Sequence, residues 1–308
     1  MSRRILITGA SGFVGRHLTS LLKSHPSKDL IFDERFDVTN ILEVSDVVRR
    51  VQPDACVHLA GVTSIAQARQ DRNKAWNVNL QGTLNVAQAL LAYAPQATLV
   101  FSSSSEIYGD SFLTGEALDE NALLIPNNPY SVTKAAADLS LGAMVREGLK
   151  VIRVRPFNHT GAGQVENFVV AAFARQIAKI EVGTQRPVVE VGNLDAERDF
   201  LDVRDVCEAY KACIDRSQDI PSGAILNICS GQTRSIRSIL EKLVNFSKVE
   251  IEIRVKKELL RPVDVRYARG SNELACKILH WQPKVLWEET LQSVLNYWRE
   301  KERSASIS

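Results

Sequence analysis

Ile5-Leu6-Ile7-Thr8-Gly9-Ala10-Ser11-Gly12-Phe13-Val14-Gly15 decides how the 308-residue chain reads. The apolar run predicts a short buried strand, and His17-Leu18-Thr19-Ser20-Leu21-Leu22 predicts a helix just beyond the glycines. A glycine-rich turn between strand and helix points backbone N–H groups at an anion lying on the positive end of the helix. Gly9 permits the tight turn, Gly12 close approach of a pyrophosphate, and Gly15 close packing of the helix, with Phe13 and Val14 part of the same loop. A packing turn is the alternative for glycines alone; their place directly after the first strand favours a dinucleotide loop.

Working outward, strand and helix signals alternate. Leu30-Ile31-Phe32 reads as a strand, Ile41 to Val51 as a helix, and Ala55-Cys56-Val57-His58-Leu59-Ala60 as a strand between Pro53 and Gly61. Trp76 to Ala92 reads as a long helix, Thr98-Leu99-Val100-Phe101 as a strand, Tyr130 to Glu147 as a helix and Leu149 to Val154 as a strand. This rhythm predicts an α/β fold: a Rossmann-type, doubly wound parallel sheet. After Pro156 the rhythm changes to Gly- and Asn-rich loops and a helix from about Phe168 to Ile180. We therefore expect residues 1–157 plus roughly 196–217 to form the dinucleotide-binding domain. Residues 158–195 and 218–308 are expected to form a smaller α/β substrate lobe, and the polar end from Glu302 to Ser308 to fray.

Composition narrows the function. With 38 basic and 36 acidic residues the formal charge is +2, too small a field to attract nucleic acid or an anionic membrane. Cys56, Cys207, Cys213, Cys229 and Cys276 are scattered, odd in number and without Cys-x-x-Cys spacing, so neither a disulfide framework nor a metal site is expected. No apolar run approaches the length of a membrane span, and the amino terminus lacks the pattern of a cleaved leader. A cytoplasmic protein is the expectation.

Asn128-Pro129-Tyr130-Ser131-Val132-Thr133-Lys134 places Tyr130 and Lys134 four apart, on one face of a helix. An ammonium beside a phenol stabilises the phenolate and brings its titration from about pH 10 toward neutrality. Upstream, Phe101-Ser102-Ser103-Ser104-Ser105-Glu106 follows a predicted strand, where open α/β sheets place ligands. The Gly-x-Ser-x-Gly elbow of a serine hydrolase is absent, and His17, His25, His58, His159 and His280 show no supporting motif.

Together these motifs resemble the extended short-chain dehydrogenase/reductases, across nearly the whole chain. The resemblance implies that Ser104 hydrogen-bonds a sugar carbonyl, Tyr130 protonates it and Lys134 holds the cofactor ribose and lowers the phenol's pKa. It matches Asp37 and Val38 to the residues near the adenine, His58-Leu59-Ala60-Gly61 to the loop lining the cofactor, and Asn79 to the asparagine of the central helix; a purely structural tie is the alternative for Asn79. Consecutive Asp33, Glu34 and Arg35 leave NADP(H) and NAD(H) both open, with Arg16 and Arg35 suited to an extra phosphate and Asp33 to free ribose hydroxyls.

Arg155-Pro156-Phe157-Asn158-His159-Thr160-Gly161 resembles the loop of the superfamily's GDP-sugar dehydratases and reductases. That implies a GDP-linked 4-keto-6-deoxyhexose substrate, held by Ser105, Glu106 and Asn158 at the sugar. Arg198 and Arg261, and more weakly Arg175 and Lys179, would hold the diphosphate, with Asp264 at the ribose. The expected reaction is reduction of the C4 ketone of GDP-4-keto-6-deoxy-D-mannose to GDP-D-rhamnose by a homodimer. Glu106 keeps a GDP-mannose 4,6-dehydratase in view, because that carboxylate removes the proton beside the transient ketone in such enzymes. The same motifs would also serve a related reductase or epimerase of nucleotide sugars, or a non-enzymatic cofactor sensor.

Overall fold

The computed structural model describes residues 2–27, 29–259 and 265–307. In chain order the first half comprises β1 (Arg4–Thr8), α1 (Phe13–Ser24), β2 (Leu30–Phe32), α2 (Ile41–Val51), β3 (Ala55–His58), α3 (Ile65–Gln70), α4 (Arg72–Trp76) and α5 (Gly82–Tyr93). It continues through β4 (Thr98–Ser102), β5 (Ala117–Leu118), α6 (Pro129–Met144), β6 (Lys150–Pro156) and β7 (Asn158–Thr160). The second half holds α7 (Val169–Glu181), β8 (Val188–Val191), β9 (Glu197–Asp202), α8 (Val203–Asp215), β10 (Ala224–Ile228), β11 (Thr233–Ser235), α9 (Ile236–Asn245), β12 (Glu252–Val255), β13 (Tyr267–Gly270), α10 (Glu273–Leu279) and α11 (Trp287–Ile307).

Six strands in the order β10-β6-β4-β3-β1-β2 form one wholly parallel sheet. Parallel pairing needs crossovers that place helices on both faces, and the buried strands accordingly read as near-continuous apolar runs such as Ile5-Leu6-Ile7. One face packs against α1, α8 and α10 through Leu18, Val206, Tyr210, Ala275 and Leu279. The other packs against α2, α5 and α6 through Val44, Val48, Leu90, Ala137 and Leu141. Because β2 and β3 lie on opposite sides of β1, the strand order switches between β1 and β3 and opens a crevice at their carboxyl ends.

A second core joins α7, α9 and α11, with Phe173, Ile177, Ile239, Leu243, Leu291, Val294 and Trp298 buried together. Smaller sheets, β11-β9-β13-β5 with β7 on β9, and β12-β8, lie in the same half of the chain apart from β5 and β7. Within the span 218–308 expected in the lobe, β10 instead pairs with β6 in the central sheet, and Ala275, Leu279 and Trp281 pack into the central core. The carboxyl end does not fray as expected: α11 runs to Ile307, supported by the Glu302 carboxylate accepting from Arg175 Nε at 2.9 Å.

Candidate active site

Register carries the site. Thr8 pairs with His58, His58 with Phe101, and Ser102 with Val154, so β1, β3, β4 and β6 end at one edge. The loops that follow, Gly9–Gly15, Leu59–Gly61, Ser103–Glu106 and Phe157–Gly163, therefore meet over the switch point.

The glycine loop has the shape a pyrophosphate requires. Gly9 adopts φ +70°, and a Cβ there would lie 2.6 Å from the Ala60 nitrogen. A Cβ on Gly15 would lie 2.3 Å from the Gly9 carbonyl oxygen. Gly12 is the N-cap of α1 and supplies no side-chain cap, so first-turn amides remain for an anion beside Phe13 and Val14. The loop after β3 closes the opposite wall, with Leu59, Ala60 and Gly61 partly exposed and Gly61 against the Asn79 amide. These features fit a dinucleotide: the donor set is backbone N–H, and two glycines cannot be enlarged without moving the cradle.

At the end of β4, Ser104 caps a single tight turn, Ser105–Tyr108, its Oγ accepting from the Glu106 amide at 3.1 Å. Ser104 also acts on the Tyr130 phenol, favouring its ionised form. Tyr130 follows Asn128 and Pro129, a reciprocal cap in which Asn128 Oδ1 accepts from Ser131 N and Ser131 Oγ from Asn128 N. Burial pushes the phenol up to about 12, opposed by Ser104 and reinforced by the Glu106 charge. The expected descent toward neutrality is thus not what this arrangement gives. Lys134 Nζ donates to the Ser102 carbonyl and lies 4.4 Å from the Phe101 ring centroid, with burial lowering its pKa to about 7.

The helix carrying both residues is anchored from beneath. Asp138, fully buried one turn beyond Lys134, accepts from Arg155 Nε at 3.2 Å and Nη2 at 3.0 Å, and from Arg153 Nη1 at 3.1 Å. Two guanidiniums from β6 around one carboxylate satisfy charges that would be costly alone, and they fix α6 to the sheet. Sequence reasoning did not single out Asp138, nor Tyr210, whose hydroxyl donates to Ser102 Oγ at 2.7 Å from a helix 108 positions away. No local pattern signals a partner that distant.

The remaining expected residues divide. Val38 is buried and Asp37 exposed, its carboxylate accepting from Thr39 N at 2.9 Å and Oγ1 at 2.8 Å. Asn79 is wholly engaged by protein: Oδ1 accepts from Val62 N, while Nδ2 donates to Val62 O and Thr133 Oγ1. It sits in a wide helical turn, Asn77–Gln81, between α4 and α5, so the long helix expected over Trp76 to Ala92 is interrupted there. Ser105 is buried and Glu106 partly so. Asn158 lies on β7, paired with Phe200, and Arg198 lies on β9, its Nη1 donating to the Glu197 carbonyl.

Arg175 is placed differently. Its guanidinium is tied to Glu166 at 2.7 Å and Glu302 at 2.9 Å and stacks over Trp298, so it serves α7–α11 packing rather than presenting itself to a diphosphate. Lys179 belongs to the same helix, one turn on, with its carbonyl accepting from Thr184 and Gln185. Arg261 and Asp264 lie outside the described residues. At the end of β2, Asp33 pairs with Lys23 at 2.7 Å, Arg35 is exposed, and Arg16 donates to the Ser11 and Gly163 carbonyls.

Residues 5–229 match the model of a family described as the NAD dependent epimerase/dehydratase family. GDP-6-deoxy-D-mannose reductase of Pseudomonas aeruginosa is 37% identical over 98% of this chain and 99% of its own length. GDP-6-deoxy-D-talose 4-dehydrogenase of Aggregatibacter actinomycetemcomitans is 31% identical over 90% and 91% respectively. Among solved structures, RMD from Pseudomonas aeruginosa complexed with NADPH aligns with a TM-score of 0.90 at 36% identity, over 97% of this chain and 100% of that one. Thermus thermophilus UDP-glucose 4-epimerase complexed with NAD aligns at 0.82 and 25% identity, over 96% and 99%.

Proposed function

The chain belongs to the NAD dependent epimerase/dehydratase family, and on that premise we propose that it reduces the C4 ketone of GDP-4-keto-6-deoxy-D-mannose to GDP-D-rhamnose with NADPH. The observation that carries this reading is the Ser104 hydroxyl acting on the Tyr130 phenol, at the sheet edge where the glycine cradle also opens. Near-full-length likeness to a GDP-6-deoxy-D-mannose reductase supports the choice of substrate.

Reduced nicotinamide, when bound, supplies the hydride for the carbonyl carbon. The chain's own part is to polarise the carbonyl oxygen and deliver a proton to it. A phenol pushed up to about 12 by burial holds its proton throughout the neutral range, which suits an acid that must arrive charged with a proton. Ser104 offers a hydroxyl dipole to the same oxygen and, by favouring the ionised form of Tyr130, steadies the phenolate left after transfer. Lys134, anchored on the Ser102 carbonyl, is the cation for the cofactor ribose.

The preference for NADPH rests on Lys23. Its pairing neutralises Asp33, the carboxylate that would repel a ribose phosphate, while Arg35 and Arg16 lie nearby in the chain as cations. For the diphosphate we propose Arg198 and Arg261, with Asp264 at the ribose and Asn158, Ser105 and Glu106 at the sugar. A cytoplasmic homodimer through α4, α5 and α6 is also proposed, supported by Trp76 and Leu139, which are 40% and 59% exposed on those helices.

The test is incubation with GDP-4-keto-6-deoxymannose and NADPH. Loss of the reduced-nicotinamide absorbance, faster with NADPH than with NADH, is the expected result. Because Glu106 acts electrostatically on Tyr130, dehydration of GDP-mannose is the second reading. Conversion of GDP-mannose with no net cofactor consumption would establish it over reduction.

A further inference from the structure

Five buried side chains link the dinucleotide loop to the catalytic tyrosine. Thr8, His58, Asn79 and Thr83 are each 1% exposed and Thr133 not at all. Thr8 Oγ1 accepts from the Ala60 amide at 3.2 Å and faces His58 Nδ1 at 2.6 Å. His58 Nε2 faces Thr83 Oγ1 at 3.0 Å, and that hydroxyl meets the Asn79 carbonyl at 2.7 Å. Asn79 Nδ2 then donates to Thr133 Oγ1 at 3.0 Å, and Thr133 donates to the carbonyl of Tyr130 at 2.8 Å.

The protons in this chain have one possible order. A hydroxyl facing a carbonyl must donate, so Thr83 gives its proton to Asn79 and must accept from His58 Nε2–H. Nδ1 is then the acceptor, and Thr8 donates to it. The tautomer follows from the Asn79 carbonyl, which can only accept and so commits the Thr83 proton to itself. A second proton on the imidazole would leave the Thr8 hydroxyl without its acceptor. Burial, together with the Lys134 charge, pushes His58 down to about 3 and holds the ring neutral.

We propose that His58 is a positioning residue whose one-donor, one-acceptor ring couples the loop gripping the dinucleotide to the backbone of Tyr130. Thr8 immediately precedes Gly9, so a shift of the cradle moves the first link, and Thr133 fixes the first turn of α6, from which the phenol projects. A chain of aligned hydrogen bonds in a low-dielectric interior strengthens cooperatively, so breaking any link loosens the whole. The inference rests on the proposed reaction only in taking Tyr130 as the proton donor; the coupling itself is a property of the two loops.

A double-mutant cycle tests it. Thr8→Val and Thr133→Val keep side-chain shape and remove one link at each end. Each single variant is expected to lower kcat by roughly tenfold with little change in the sugar KM, since none of the five residues lies in the substrate lobe. Combined, they should cost about as much as one alone, a coupling of at least roughly fivefold. In a His58→Phe background, where donor and acceptor are both gone, the two effects should become small and independent. Effects that simply multiply in the parent protein, within about twofold, overturn the proposal. If the unmodified protein leaves GDP-4-keto-6-deoxymannose untouched, the reading of the reaction fails instead. The same cycle is then measured on the NADPH dissociation constant by cofactor fluorescence, where multiplying effects again overturn the coupling.

Discussion

Gly15→Ala tests the cradle most directly. In the structure a methyl group at this position would stand 2.3 Å from the Gly9 oxygen and 2.6 Å from the Ala10 Cα. Ordinary contact begins near 3.4 Å, so the loop must retreat by roughly 1 Å. The fold itself should tolerate this. Alanine gains up to about 1 kcal/mol of helix propensity over glycine, while overpacking costs about 1–3 kcal/mol, leaving a net loss of roughly 0–2 kcal/mol. Cofactor binding should not tolerate it, because the atoms displaced are the backbone that meets the pyrophosphate. A hydrogen bond to a charged group is worth about 1.5–3 kcal/mol, so losing one weakens binding by roughly 10- to 100-fold. Fluorescence titration with NADPH gives the dissociation constant, and a thermal melt without cofactor reports the fold. A folded variant whose NADPH affinity stays within about twofold of the parent would remove the glycine loop from the phosphate site.

Tyr130→Phe should lower kcat by about 10²- to 10⁴-fold while NADPH affinity changes little, as seen in single-turnover and binding measurements; unchanged turnover would take the phenol out of the reaction. Glu106→Gln should cost a reductase at most a few-fold in rate, whereas a dehydratase would lose nearly all conversion of GDP-mannose. Lys134→Met should show a stability gap that depends on pH. Burial lowers the folded pKa to about 7 from 10.5, so the buried ammonium penalises the folded parent fully below pH 7. Between about pH 7 and 10 the unfolded chain binds the extra proton, and parent stability rises with pH. The variant should therefore melt above the parent at pH 6, with the difference shrinking toward pH 10, and a constant difference would contradict the burial argument.

Local signals fixed much of the first half. Ile5-Leu6-Ile7 before Gly9, Ala55 to His58 after Pro53, and Thr98 to Phe101 before four serines all have partners in a parallel sheet and are themselves near-continuous apolar runs, so each is visible without knowing its neighbours. The second half hides its structure in pairings that sequence does not expose. β9 contacts β7, β11 and β13, strands of three or four residues drawn from positions 158 to 270, each too short to show a period. The final helix was legible in principle, since Trp287, Leu291, Val294, Leu295 and Trp298 recur at helical spacing. Its basic and polar residues draw the eye to a tail, yet Arg175 on α7 and Arg299 on α11 are both tied by carboxylates into the helical core.

Spacing placed Tyr130 and Lys134 on one helix face but could not assign the direction of their electrostatics. A four-residue interval describes an isolated helix; what a side chain meets beyond that face depends on the sheet beneath it. Here the carboxyl end of β4 lies under α6, and the Ser102 carbonyl captures the lysine. Burial acts on both residues in opposite directions, raising the acid and lowering the base, because in each case it disfavours the charged form. The pair is consequently poised with the phenol protonated and the amine only marginally charged near neutrality. That state fits proton delivery to a ketone better than proton removal from an alcohol. A negatively charged dinucleotide entering the crevice would restore charge to Lys134, since an anion nearby favours the ammonium. NADPH binding should therefore take up a proton between about pH 7 and 9. Calorimetric titrations in buffers of different ionisation enthalpy would measure that uptake directly, and its absence would show that Lys134 does not meet the cofactor.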